Sequence, residues 1–92
     1  MPEYKPEFGL AKKFYDSGIV LFNRAVNNQI DEQRNISNLD LYQSAIRYLA
    51  FSLQCPQIPE ADREYGEIIV NAAKSNVNNI LHRILNARSP QV

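Results

Sequence analysis

The stretch from Leu39 to Leu53 constrains this chain more than any other, because its apolar residues recur at helical spacing around more of a helix than one neighbour can cover. Leu39, Tyr42, Ile46, Leu49 and Leu53 form one seam at alternating steps of three and four, and Leu41, Ala45 and Tyr48 form a second seam beside it. A helix packed on one core needs an apolar stripe of roughly 100°. Counted at 100° per residue, this one carries about 180°. It has to lie between two partners, as the middle element of a bundle.

The rest of the chain supplies both. From about residue 7 to 33, Leu10, Ala11, Phe14, Tyr15, Gly18, Ile19, Phe22, Ala25, Val26 and Ile30 repeat at helical steps, with Lys12, Lys13, Asp16 and Arg24 opposite. Pro6 fits a first helical turn, where its missing N–H is no loss, and Glu7 suits the positive end of the dipole. Gly18 inside such a helix costs up to ~1 kcal/mol relative to alanine, which a close backbone approach would justify, so it is read as a packing notch. Ser37 followed by Asp40 resembles a capping box and places the second helix at about 38–55, stopped by Pro56. Pro59 as a first-turn proline, with Glu60, Asp62, Glu64 and Glu67 near the start and Arg83 and Arg88 near the end, signposts a third helix over about 59–88. Ser75-Asn76-Val77-Asn78-Asn79 gathers poor helix formers, and fraying or a bend is expected there. No alternating β-branched run exists. The chain is therefore expected to be all-α, a three-helix antiparallel up-down-up bundle over 7–88, with a flexible N-terminal arm over 1–6 and a tail over 89–92.

Composition narrows the function classes. Ten basic and ten acidic residues cancel, and the cations do not share one face, so a nucleic-acid partner is not expected. Cys55 is the single cysteine and has no metal-ligand spacing around it, which fits a reducing, cytoplasmic setting. No apolar run approaches the ~20 residues of a membrane span, so no direct insertion is expected. His82 has no Cys, Asp or Glu one turn away, the three glycines stand apart, and the acidic group from Glu60 to Glu67 is explained by the helix dipole. Neither a catalytic pair, a metal site nor a cofactor is read here, and the chain is not expected to be an enzyme.

What remains is surplus apolar surface. Val20, Phe51 and Val70 fall beyond or at the edges of the main stripes. Val70 is the most suggestive, because Lys74, Val77, Leu81 and Leu85 continue along the same side of the third helix and would form one wall of a groove. Leu41, Tyr48 and Phe51 drift toward the edge of the second helix's stripe and would form the other. A partner helix laid in such a groove is held by apolar anchors at that spacing. The same surface could instead close a symmetric homodimer, making the domain a scaffolding piece.

The wording Leu41-Tyr42-Gln43-Ser44-Ala45-Ile46-Arg47-Tyr48-Leu49 is similar to the second helix of the MIT (microtubule-interacting and trafficking) family, small three-helix domains that bind ESCRT-III tails. Arg24-Ala25-Val26-Asn27 at the end of the first helix and Ile69-Val70-Asn71-Ala72-Ala73-Lys74 in the third extend the resemblance. It implies a non-catalytic adaptor within a larger trafficking or membrane-remodelling protein, recruited to endosomal membranes by capturing an amphipathic ESCRT-III tail between helices two and three or one and three. Val70 would stand at the family's anchoring leucine and Ala73 at the small residue after it. The family usually has Arg-Ala-Glu where this chain has Ala72-Ala73-Lys74, so one charge is reversed. A tetratricopeptide-like adaptor is the nearest competitor, since Ala45 and Pro56 fall near that repeat's pattern, but no second copy occurs at a ~34-residue period.

Overall fold

A computed structural model describes residues 5–28 and 34–88 of the chain. Three helices run α1 (Phe8–Asn28), α2 (Asn35–Ser52) and α3 (Glu60–Arg88), with no strand among the described residues, so the chain is an all-α three-helix bundle. At 1.5 Å per residue they are about 32, 27 and 44 Å long. The expected end of the first helix at 33, most of the arm and the whole tail lie outside the described residues.

Each boundary has a local cause, and several differ from the sequence expectation. Pro6 is buried and precedes α1 rather than sitting in its first turn; Glu7 accepts the first helical bond, from Ala11 N at 2.9 Å. The Ser37 cap is not used. Arg34 occupies the cap position with no side-chain cap bond and reaches back instead to Asn28 Oδ1 at 3.2 Å, tying the start of α2 to the end of α1. At its other end α2 stops at Ser52, three residues short of the expected Cys55. Its last turn tightens there, with Gln54 N donating to Phe51 O (3.2 Å) and Cys55 N to Ser52 O (3.1 Å), the shorter-ring bonds that use up terminal carbonyls before Pro56. Pro59 lies just outside α3, its carbonyl accepting from Arg63 N at 2.9 Å. The asparagine-rich stretch 75–79 stays helical throughout.

The buried line of α1 is Ala11, Gly18 and Ala25, small residues seven apart. The buried line of α2 is Asn38, Tyr42, Ala45, Leu49 and Ser52. The buried line of α2 therefore takes Tyr42 and Leu49 from the first expected seam and Ala45 from the second, and Leu39, Leu41, Ile46 and Tyr48 flank it, partly buried. Gly18 is the notch the sequence predicts: an added Cβ would lie 2.8 Å from Leu49 Cγ and 3.3 Å from the Ala45 carbonyl oxygen. Phe14 packs edge-to-face against Tyr48 (5.3 Å between ring centres) and Phe51 (4.9 Å), and Phe22 does the same against Tyr42 (5.6 Å). On α3, Gly66, Ile69, Ala73 and Ile80 are buried. Ala25, Tyr42, Ala73 and Ile80 form the main core, and Ala11, Cys55 and Ile58 a smaller one at the connector. Leu81 and Leu85, toward the end of α3, are exposed.

Candidate interaction grooves

Among the described residues, shallow clefts follow the helix seams. Between α2 and α3, Ala50, Leu53, Glu67, Val70 and Asn71 line a groove of about 290 Å³. Between α1 and α2, Asp16, Ser17, Val20, Leu21 and Tyr48 line one of about 380 Å³. Near the connector, Phe8, Lys12, Tyr15, Ile58 and Asp62 are among the residues around a cleft of about 210 Å³ between α1 and α3.

The sequence-derived wall is divided among these places. Val70 lines the α2–α3 groove, half-buried, and Lys74 stands exposed one turn further on. Val77 and Leu41 are partly buried against the main core, and Leu81 is exposed at the far end. Ala73 is fully buried in that core, so it supports the wall from behind and is out of reach of a ligand. Tyr48 and Phe51 are a correction as well: both stack on Phe14 of α1, so they cannot form the α2 side of a groove against α3. The reason is angular. On α2, positions 41, 48 and 51 point toward α1, whereas 46, 50 and 53 turn about 100° per residue toward α3. Val20 is exposed as its position outside the stripe suggests, but it belongs to the α1–α2 groove with Tyr48.

Ala50 and Asn71, which complete the α2–α3 groove, carry no hydropathy signal of their own. Their signal is register: Ala50 lies one turn before Leu53, and Leu53 packs over the bare face of Gly66, where an added Cβ would sit 3.3 Å from its methyl carbon. Arg63 was equally silent in the sequence. Its guanidinium donates to the carbonyl oxygens of Leu53 (2.6 Å) and Cys55 (2.8 Å), closing the loop between α2 and α3. These are charge-assisted bonds to carbonyls that the ending helix leaves over.

Two of the described tyrosines have hydroxyl pKa values raised above the ordinary value. Tyr42, fully buried, is hydrogen-bonded to the Asn76 side chain; burial raises its hydroxyl pKa, and Asn76 and the Arg83 charge offset this only in part. Tyr15 donates to the Asp62 carbonyl oxygen at 2.7 Å, and its pKa is raised by burial first and then by the negative charge of Asp62 and neighbouring groups. Asn38 is 1% exposed and its Oδ1 has no hydrogen-bond partner. His82 is exposed, Cys55 is a buried free thiol, and no group of three or more metal-ligating side chains exists among the described residues. Among them, no helix is long and apolar enough to cross a membrane. The grooves have largely apolar floors with single charged residues, Glu67 in one and Asp16 in another, at their edges. Comparison with protein families, with characterised proteins and with solved structures finds no match.

Proposed function

We propose that this chain is a non-catalytic interaction module that captures an amphipathic helix in the groove between α2 and α3, as MIT domains do with ESCRT-III tails, within a larger trafficking or membrane-remodelling protein. The observation that carries this reading is the position of Val70. The residue that the family resemblance marks as the helix-three anchor is half-buried in an open groove, with Ala50 of α2 and Leu53 just after that helix on one side and Glu67 and Asn71 of α3 on the other. Apolar anchors of a bound helix would seat on Val70, Ala50 and Leu53, and the exposed rim would supply polar contacts. On this reading the module brings its parent protein to membranes through the captured tail and holds no cofactor.

Titrating the domain with ESCRT-III C-terminal peptides while recording amide shifts tests this. Shifts centred on Val70, Asn71 and Ala50 are expected; no shifts there at high peptide concentration would sink the groove. Self-association is the second reading, favoured by Ile68, 62% exposed on α3, and Val20, 55% exposed on α1. Light scattering separates the two, because a stable dimer at micromolar concentration would account for exposed apolar surface without a tail ligand.

A further inference from the structure

We infer that the α2–α3 groove selects an acidic amphipathic helix, whose carboxylates meet Arg47 and Lys74 while its apolar side chains sit over Val70 and Ala50. This deepens the reading above and rests on it for the location of the docking site; the chemistry of the occupant is the added step.

The register of the two helices places the cations. Tyr42 pairs with Asn76 and Leu53 packs over Gly66, so the antiparallel alignment sets Ala50 within two residues of the level of Val70 and Arg47 near the level of Asn71, with Lys74 about 4 Å further along the same direction. The shared lining of the groove by Ala50 and Val70 agrees with that alignment. Arg47 lies one turn before Ala50, and Lys74 one turn after Val70, so one basic side chain stands on each rim at the level next to the apolar floor. Both are exposed. Arg47 donates to the Ser44 hydroxyl at 3.3 Å, and neither Arg47 nor Lys74 has a carboxylate partner among the described residues. The nearest acid in the groove, Glu67, lies on the other side of Val70, two turns from Lys74. The chain's formal charge is zero, so no global field competes with this local pair of cations. Carboxylates of an incoming helix placed beyond Val70, on the side away from Glu67, meet Arg47 on one rim and Lys74 on the other, and lysines there meet two like charges.

Two synthetic peptides of about 15 residues, with leucines at i, i+3 and i+7, provide the probe. One carries glutamates beside the leucine stripe, and its twin carries lysines at the same positions. Affinities are read from amide shifts at Val70 and Asn71. The acidic peptide is expected to bind about tenfold tighter at low salt, the magnitude of two exposed ion pairs, and high salt should erase the difference. The double variant Arg47→Glu, Lys74→Glu, whose folding is checked by circular dichroism, should reverse the preference. Equal affinities with shifts at Val70 would overturn the charge selection and leave the groove standing. Shifts at Val70 with neither peptide would overturn the groove itself, and so would a dimer that protects Val70 in the absence of peptide.

Discussion

The two seams of α2 are built differently. Against α1, small residues at Ala11, Gly18 and Ala25 let the backbones approach until Gly18 has no room for a methyl group, and three aromatic edge-to-face contacts fill the flanks. Against α3, Tyr42 shares the main core with Ala73 and Ile80, and two spaced polar ties are added: Tyr42 to Asn76 in the core and Arg63 to the Leu53 and Cys55 carbonyls at the connector. Between those two ties Ile69 and Ala73 are buried, while Val70, at the outer edge of the seam, is half-buried in a groove. A seam closed along its length by backbone proximity leaves little for a ligand to enter. A seam pinned at two points and apolar between them retains surface that a third helix can cover.

Substitutions that fill one seam or unpin the other should show this difference. The largest effect is expected from Gly18→Val. Its Cβ would meet the branch carbon of Leu49 at 2.8 Å, and the second nearest atom is backbone, so neither can swing aside. Over-packing of this kind costs about 3 kcal/mol, or a fall of roughly 15 °C in Tm for a domain of this size. Gly18→Ala should cost less, about 1 kcal/mol, because alanine returns up to ~1 kcal/mol of helix propensity. Arg63→Met falls between the two Gly18 variants, at about 2 kcal/mol by urea denaturation, since two carbonyls just past the end of α2 lose a charged donor. If the Gly18 variants are as stable as the parent, the α1–α2 seam is not closed as drawn.

The middle element was legible because hydropathy at helical spacing is strong where a helix is covered on two sides, and Gly18 was legible because an unforced glycine in a helix asks for a reason. The division of α2 between its neighbours was not. Tyr48 and Phe51 look like groove residues when α2 is read alone; only the position of Phe14 on α1 assigns them to the other seam. Arg63 acts across the connector on Leu53 and Cys55, Gly66 faces both Leu53 and Tyr15 of α1, and no local pattern encodes partners that only the turned chain brings together. The boundaries of α2 were misplaced for a related reason. Cap and proline rules describe single positions, whereas the helix here starts at a cap position tied back to Asn28 and ends in a tightened turn.

The polar tie inside the α2–α3 seam has a pH signature. Tyr42→Phe keeps the ring and removes the bond to Asn76, so about 1 kcal/mol of stability should be lost at pH 8. The folded pKa of Tyr42 is raised above the value of about 10 in the unfolded chain. Below that value both states hold the proton and the full contribution is present; as pH rises past about 10 the unfolded state releases its proton first and the contribution falls. Urea midpoints at pH 8 and above pH 10 should therefore show the gap between parent and Tyr42→Phe narrowing. A gap that stays constant would place the Tyr42 hydroxyl in water rather than in the seam.

The smallest effect, and the sharpest contrast, is Gly66→Ala. Like Gly18 it is a buried helical glycine facing a neighbour, and an added Cβ would lie 3.0 Å from Tyr15 Cε2 and 3.3 Å from a Leu53 methyl. Those atoms are the outer parts of side chains, which can yield by a few tenths of an ångström, whereas Gly18 faces a branch point and a carbonyl. The gain in helix propensity should nearly offset the remaining crowding, leaving stability within about 0.5 kcal/mol of the parent. Leu53 also lines the groove, so its adjustment should be visible as an amide shift at Ala50 and Val70 even where the melting temperature does not move. A loss as large as that of Gly18→Ala would mean that the α2–α3 seam is as rigid as its counterpart, and that a docking helix would find no compliance there.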